Sequence, residues 1–255
     1  TANNNTLNIK HINGNIIEAQ MDNTLGKNLY REDNALEGIL IPTISNSGEN
    51  LDNIRLNVED ISNNSITIQT KSNFDAVKGI SINTYGHGQV KDFVNNAINI
   101  IATAAEEVTG IYLYNSFDGT LNAKNISENS ITLKGQIVTG MSFLNESAVN
   151  VDYSAIYNNN INLTTTNNVP TAGIYFLTDR VFRNAHGKRI YGTITATGLA
   201  GNKISSDFGI LAVASRSGNR ITFIADPNNP NLNPSQANGG ALYSTSGDGI
   251  VTPKA

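Results

Sequence analysis

Apolar and polar residues alternate along most of the chain in short runs. This period of two is typical of β-strands, because successive side chains of a strand point to opposite faces. One recurring run begins with Gly and continues apolar, polar, apolar. Its copies begin, at intervals of 30 to 41 residues, at Gly38, Gly79, Gly110, Gly140, Gly173 and Gly209.

A second alternating run lies out of phase with the first and follows an Asn or Gly. Its copies begin at Asn64, Asn96, Asn129, Asn159, Gly192 and Asn219, with a weaker copy at Asn15. A third apolar position precedes four of these copies and is filled by Ile61, Phe93, Ile126 and Ile156. The repetition is visible by eye, since LNVEDISNNSITI (56–68) and LNAKNISENSITL (121–133) match at the same offsets.

One strand of each kind per ~30 residues predicts an all-β chain wound as a parallel β-solenoid, in which equivalent strands stack about 4.8 Å apart. Equivalent inward residues would then form columns. The first predicted column is Ile39, Ile80, Ile111, Met141, Ile174 and Ile210. The second is Ile66, Ile98, Ile131, Ile161, Ile194 and Ile221, with Thr67, Asn99, Thr132, Asn162, Thr195 and Thr222 facing outward beside it.

The Asn that opens each second run has a predicted backbone role. It lies where the chain bends before a strand, and Asn adopts left-handed geometry more readily than most residues. Stacked Asn side chains at Asn64, Asn96, Asn129, Asn159 and Asn219 are also expected to bond to one another, with Gly192 filling the same place in one repeat.

Two alternatives stay open from the pattern alone. A β-sandwich also contains many short strands separated by turns, although its strands need not repeat residue types at fixed spacing. The segment FVNNAINIIATAAEEV (93–108) fits the strand repeat at its start, while its Ala and Glu content allows a helix after Ala102.

Composition narrows the function classes. The 255 residues carry a net charge of −4, only 15% are charged, and 40 are Asn. Nucleic-acid binding is not expected, because it needs clustered Lys and Arg. No cysteine is present, so disulfides and thiolate metal sites are excluded. No apolar run has the length of a transmembrane segment.

The predicted organisation is a single domain in three parts. Residues 1–35 form an N-terminal cap with a weak first coil, and residues 36–225 form the solenoid core. Residues 226–255 form a Pro-, Asn- and Gly-rich loop followed by a C-terminal segment.

The phrases GIYLYNSFDGTLNAKNISENSITLKG (110–135) and TAGIYFL (171–177) resemble the repeats of right-handed parallel β-helix proteins, the pectate-lyase-like group. The resemblance covers roughly residues 36–225 and implies about six to seven coils with long turns. The group includes polysaccharide lyases and hydrolases, phage tailspikes, and passenger domains of bacterial autotransporters and filamentous adhesins. Fold alone does not choose among these activities.

Catalytic chemistry has little support in the sequence. No carboxylate pair can be placed on one face, no GxSxG motif is present, and no metal-ligand spacing occurs, so no catalytic or metal residue is predicted. No cofactor is predicted, and calcium in Asp/Asn turns lacks a supporting motif. The densest polar cluster, TDRVFRNAHGKRI (178–190), is a candidate for binding an acidic ligand through Arg180, Arg183, His186, Lys188 and Arg189.

The outward face of the Gly-marked strands is unusually apolar and suggests a partner. Its candidate ligand-binding residues are Tyr112, Tyr114 and Tyr175, and its candidate self-association flank is Leu144, Leu177, Leu211 and Val213. The resemblance to adhesin passengers implies a secreted or surface-displayed, virulence-associated domain that binds glycans or proteins in cell adhesion. The alternatives are a polysaccharide lyase or hydrolase with a groove on the same flank, and a self-associating structural domain.

Overall fold

A computed structural model gives the fold of most of the chain. It describes residues 5–21, 35–42, 54–117, 119–147, 150–179, 181–183, 189–199, 201–216, 219–224, 242–246 and 250–254.

These residues form strands and turns, without a helix in the described ranges. The first thirteen strands are β1 (Asn5–Asn13), β2 (Ile16–Met21), β3 (Ala35–Pro42), β4 (Ile54–Ser62), β5 (Ser65–Thr70), β6 (Ala76–Thr84), β7 (His87–Val94), β8 (Ala97–Ala102), β9 (Glu107–Phe117), β10 (Thr120–Ala123), β11 (Ile126–Ser127), β12 (Ser130–Gly135) and β13 (Ile137–Ser147). The others are β14 (Asn150–Tyr153), β15 (Ile156–Tyr157), β16 (Asn160–Thr165), β17 (Ala172–Thr178), β18 (Val181–Arg183), β19 (Arg189–Tyr191), β20 (Thr193–Thr197), β21 (Lys203–Ser205), β22 (Phe208–Ala214), β23 (Arg220–Ile224), β24 (Leu242–Ser246) and β25 (Ile250–Lys254).

The strands assemble into three parallel sheets, here called A, B and C. Sheet A has the order β1-β4-β7-β10-β14-β20-β23-β25, with the short strands β11 and β15 beside it. Sheet B has the order β2-β5-β8-β12-β16-β21, and sheet C has the order β3-β6-β9-β13-β17-β22-β24. The strands β18 and β19 form a separate antiparallel hairpin.

From β1 to β22 the chain passes through sheets A, B and C in that order in each repeat, and the inward side chains of the three sheets share one buried core. This arrangement is all-β and compatible with a parallel β-helix. A β-sandwich, which is built from two antiparallel sheets, does not match the observed pairing.

The first predicted column is confirmed in sheet C. Ile39 pairs with Ile80, and the register continues through Ile111, Met141, Ile174 and Ile210. All six side chains are buried. The third predicted position is also confirmed, since Ile61, Phe93, Ile126 and Ile156 are in register on sheet A.

The second predicted column is correct for four residues and wrong for two. Ile66, Ile98, Ile131 and Ile161 are in register on sheet B, and the weaker first copy contributes Ile17. The next member is Ile204, which pairs with Ile161.

Ile194 and Ile221 pair with each other on sheet A instead, and Thr195 and Thr222 lie there too. Sheet A strands alternate in the same way as sheet B strands, so the pattern alone does not separate them. The sixth copy lies around Ile204, and the sequence does not reveal it because Ile204 is followed by Ser205 and Ser206, so the run lacks the second apolar residue of the other copies.

The amide ladder is confirmed over most of its length. The Asn64 side chain donates to Asn96 Oδ1 at 2.9 Å, and the same contact joins Asn96 to Asn129 and Asn129 to Asn159. Asn15 and Asn202 extend the ladder at its two ends. Asn219 and Gly192 do not belong to it, because they precede strands of sheet A.

The predicted left-handed residue is displaced by one position. Positive φ angles occur at the residue before each ladder Asn, namely at Asn63, Asn95, Glu128 and Asn158 (φ 55° to 59°) and at Gly14 and Gly201. The ladder Asn itself follows the bend. The recurrence of Asn at this position is therefore explained by the hydrogen bonds of its side chain.

The two out-of-phase motifs touch each other in the core. A Cβ atom added to Gly110 would lie 2.6 Å from the carbonyl oxygen of Gly140 and 2.6 Å from Cγ2 of Ile131. The same contact recurs between Gly79 and Ile98. Gly thus lets the backbone of sheet C approach the Ile column of sheet B, which explains why both motifs repeat together.

The ambiguous segment 93–108 is extended. It forms the end of β7, all of β8 and the start of β9. The helix allowed after Ala102 is wrong, since a short turn precedes β9 there.

Candidate functional site

The outer face of sheet C carries the two tyrosines of the Gly-marked strand β9. Tyr112 and Tyr114 are two residues apart, so their side chains lie on the same face. Their ring centroids are 6.1 Å apart and the ring planes differ by 19°. The rings therefore lie side by side along the strand.

An ion pair on the neighbouring strands completes this surface. Glu37 and Lys78 are paired directly across β3 and β6, and Lys78 Nζ lies 3.5 Å from Glu37 Oε1. The same Nζ lies 4.0 Å from the centre of the Tyr112 ring. The Lys78 and Glu37 side chains are only 15% and 11% exposed, so the pair is partly desolvated and its contacts are stronger than on an open surface.

These groups line a groove on the outer face of sheet C with a volume of about 420 Å³. We call it the tyrosine groove, and its lining residues are Ala35, Glu37, Leu40, Pro42, Lys78, Asn83, Tyr85, Tyr112 and Tyr114. The volume lies in the range typical of small-ligand sites, about 300 to 1,000 Å³. The lining combines apolar carbon, amide, phenol and paired charges.

The Tyr112 phenol is held in its protonated form. Burial raises the pKa of Tyr112 above its ordinary value, and the neighbouring Tyr114 and acidic side chains add to the effect. The Tyr114 hydroxyl donates a hydrogen bond to Glu146 Oε2 at 2.9 Å. The raised pKa keeps Tyr112 as a neutral phenol, which can donate a hydrogen bond.

Tyr175, the third predicted tyrosine, lies outside the groove lining. It is in register with Ser142, which is in register with Tyr112, so two strand spacings of about 10 Å in total separate the tyrosines. Burial also raises the pKa of Tyr175. The structure therefore brings together two of the three predicted tyrosines.

The structure describes only part of the predicted basic cluster. Arg180, His186 and Lys188 lie outside the described residues. Arg183 and Arg189 are directly opposite each other in the β18–β19 hairpin. The role predicted for this cluster stays a prediction.

The predicted apolar flank continues beyond the tyrosine groove on the same face. Leu144, Leu177 and Val213 are in register, and Leu211 is in register with Tyr175. These side chains are half-buried, whereas Ser81 and Ser142 on the same face are almost fully buried. The side chains on this face are therefore less exposed than those of a sheet surface that faces only solvent.

Sequence reasoning missed Glu37 and Lys78. Each directly precedes the Gly of its repeat, and the equivalent positions in the next two copies are Thr109 and Thr139. An acid followed by a base at equivalent positions of adjacent repeats predicts a cross-strand ion pair once the register is known. That comparison would have found the pair.

The described part of the chain holds no group of three or more His, Asp or Glu side chains that could bind a metal ion. It also contains no helix with the length and hydrophobicity of a bilayer-spanning segment.

The sequence matches no protein-family model, and neither a curated protein nor a solved structure matches it. The interpretation of the groove therefore rests on its own residues.

Proposed function

We propose that this chain is a glycan-binding adhesin-type domain that binds its ligand in the tyrosine groove. In this proposal it is secreted or displayed on a bacterial surface, and its fold is a right-handed parallel β-helix of about six to seven coils. The handedness follows the rule that crossovers between parallel strands of one sheet are right-handed in about 98% of cases.

The observation that carries the proposal is the chemistry of the groove lining. The charge of the Lys78 ammonium is balanced by Glu37, and the ammonium lies over the Tyr112 ring. The groove therefore presents little net charge. Phenol and amide groups supply donors and acceptors, and Leu40 and Pro42 supply apolar carbon. Sugar rings carry hydroxyl groups around apolar C–H faces and match this mixture, as aromatic side chains with a polar end do in other binding sites.

A rigid, repetitive scaffold also suits adhesion. The three sheets hold side chains at fixed spacing along the stacking direction, and several weak contacts made at once raise the overall affinity. The groove lies on the same face as the half-buried flank, so a long ligand could contact both.

Binding to a panel of plant, bacterial and host polysaccharides tests the proposal, with retention and new reducing or unsaturated ends both scored. The test variant is the double substitution Glu37→Gln with Lys78→Gln, which preserves net charge. Its control is Glu59→Gln with Lys91→Gln, an exposed pair on sheet A at 3.9 Å. We expect a polysaccharide to be retained without being cleaved. The groove variant alone should weaken this binding about tenfold, which corresponds to the loss of roughly two hydrogen bonds.

Three results would overturn this function. Product formation would establish a lyase or hydrolase, equal loss in both double variants would remove the groove from the binding site, and no retention on any polysaccharide would exclude a glycan ligand. Thermal unfolding of each variant distinguishes loss of binding from loss of fold.

Self-association is a second candidate function, favoured by the aligned apolar side chains Leu144, Leu177 and Val213. Light scattering over a concentration series tests it, with Leu177→Lys as the interface variant. A dimer that the substitution dissociates would support it, and a monomeric mass at every concentration would exclude it.

A further inference from the structure

The three sheets end together at the coil formed by β1, β2 and β3. These are the terminal strands of sheets A, B and C, and each has a neighbour on one side only among the strands that the structure describes. A terminal strand presents a row of backbone N–H and C=O groups on its outer side, which is where another strand can pair. We call the outer side of β1 and β2 the N-terminal edge.

The apolar side chains inside this coil are incompletely covered. Ile12 and Ile17 are in register with Ile61 and Ile66 of the next coil. Ile61 and Ile66 are fully buried, whereas Ile12 and Ile17 are half-buried. A further coil stacked on the edge would remove this apolar surface from water. The other half-buried inward residues of the coil are Ile9, Ala19, Met21 and Leu36.

The amide ladder also ends at this edge. Asn15 donates from its backbone N–H and from Nδ2 to Asn64 Oδ1, at 3.1 and 2.8 Å. Asn64 makes the same two bonds to Asn96 Oδ1, and its Nδ2 also donates to the carbonyl of Ile12. No residue that the structure describes donates to Asn15 Oδ1 in this way. Asn15 is exposed, whereas Asn64 and Asn96 are buried.

The hydrogen bonds inside the ladder define what fits the edge. Each ladder Asn after Asn15 accepts at Oδ1 from the Asn of the preceding coil. The residue after the Asn, such as Ser65 or Ala97, donates its backbone N–H to the carbonyl of that preceding Asn at 2.8 Å. By the same pattern, a further Asn would donate to Asn15 Oδ1 and accept from the Ile16 N–H. An extended segment of alternating apolar residues with one Asn at its bend supplies these groups.

The direction of the ladder argues against a second copy of this chain as the occupant. Two copies joined at their N-terminal edges would place two Asn15 oxygens, both acceptors, opposite each other. The donor end of the ladder is Asn202, whose Nδ2 donates to the carbonyl of Ile156 at 2.9 Å. Asn202 is fully buried, so it is not available to the N-terminal edge of another copy.

We propose that the N-terminal edge is a β-augmentation site, which binds an extended segment of another protein that has the strand–Asn–strand pattern. The segment adds a parallel strand beside β1 and another beside β2, and it continues the apolar columns and the amide ladder by one coil. Main-chain hydrogen bonds give the affinity, and Asn15 together with the half-buried columns selects the sequence. The site is separate from the tyrosine groove and does not depend on it.

A synthetic peptide with the sequence of residues 54–70, IRLNVEDISNNSITIQT, is the probe. This segment is suitable because it pairs with both β1 and β2 from the other side in the folded chain. Its binding is measured by fluorescence anisotropy of the labelled peptide, and hydrogen exchange locates the site. The variant peptide carries Asn64→Ala. The protein variants are Ile17→Lys, in the inward column, and its matched control Ile16→Lys, at the adjacent position that is 77% exposed.

We expect the peptide to bind wild type and to slow hydrogen exchange in β1 and β2. The Asn64→Ala peptide should bind about fivefold more weakly, which corresponds to the loss of one hydrogen bond. Ile17→Lys should weaken binding about tenfold because it places a charge in the apolar column. Ile16→Lys should bind the peptide as wild type does.

Four results would overturn this site. They are no binding of the peptide, equal binding of the Asn64→Ala peptide, equal binding by the two Lys variants, and slowed exchange outside β1 and β2 alone. Self-association of the protein, seen by light scattering and lost only in Ile17→Lys, would assign the edge to a second copy and would also overturn the proposal. The comparison of the two peptides uses wild-type protein, so it decides the outcome even where Ile17→Lys lowers stability.

Discussion

Replacing Asn129 by Ala should cost the protein about 4 kcal/mol of unfolding free energy. The Asn129 side chain is fully buried in the amide ladder. Its Nδ2 donates to the carbonyl of Phe93 and to Asn159 Oδ1, each at 2.9 Å. Its Oδ1 accepts from the backbone N–H of Asn96 at 3.0 Å and from Asn96 Nδ2 at 2.9 Å.

The magnitude follows from these four contacts. Each intramolecular hydrogen bond contributes about 1 kcal/mol net, and a partner left buried without a replacement costs as much or more. Asn129→Ala removes all four bonds and leaves the amide of Asn96 and the carbonyl of Phe93 without that partner. For a chain of this size, about 4 kcal/mol corresponds to a melting temperature lower by roughly 10 °C.

Urea unfolding followed by circular dichroism measures the loss, and Asn99→Ala is the matched control. Asn99 is an exposed Asn on the outer face of sheet B, and the structure gives its side chain no hydrogen bond. We expect the control to change stability by less than about 0.5 kcal/mol. If Asn129→Ala cost no more than Asn99→Ala, the ladder would not stabilise the fold and the reasoning would be refuted.

Three further predictions follow from other contacts. Tyr153→Phe should leave the protein equally stable or stabilise it by about 1 kcal/mol in thermal unfolding, because the buried Tyr153 hydroxyl has no partner in the described structure; a clear loss would contradict this. Gly110→Ala should destabilise by about 1 to 3 kcal/mol in urea unfolding, since the new Cβ meets backbone and Ile131; a neutral result would show that sheets B and C can separate. Hydrogen bonds from the backbone N–H and the hydroxyl of Thr171 hold the pKa of Asp207 below its ordinary value. The stability that wild type gains over Asp207→Asn should therefore be complete above about pH 4 and disappear as the pH falls through the lowered pKa; a difference between the two proteins that does not change with pH would contradict it.

The sequence predicted the columns best where two motifs constrain one strand. Four residues of the second column, Ile66, Ile98, Ile131 and Ile161, each follow an Asn and also pack against a Gly of the other motif. Two motifs therefore fix the register of their strands. Ile194 and Ile221 have the alternation without the Gly contact, and they belong to sheet A. Alternation identifies a strand, while the contacts of the core decide its sheet.

The candidate site was less predictable because it depends on contacts across strands. Tyr112 and Tyr114 were found from their outward positions alone. Finding the Glu37–Lys78 pair requires the register of β3 against β6. Finding the contact of Lys78 with the Tyr112 ring requires the register of β6 against β9. Both registers are the ones that the predicted column Ile39, Ile80 and Ile111 gives, so the ion pair was within reach of the sequence. The contact between Lys78 and the Tyr112 ring depends in addition on side-chain conformations, which the repeat does not fix.

The central claim is that equivalent residues of successive repeats stack in columns, and paired cysteines test it most directly in this cysteine-free chain. Asn99 and Thr132 are Cα partners on the outer face of sheet B, at the spacing of adjacent strands, about 4.8 Å, which lies within the range that a disulfide spans. We predict that Asn99→Cys with Thr132→Cys forms an intramolecular disulfide on mild oxidation, while Thr132→Cys with Thr195→Cys, on different sheets, does not. Cross-linking of the second pair, or free thiols in the first, would contradict the stacking on which the fold and the tyrosine groove depend.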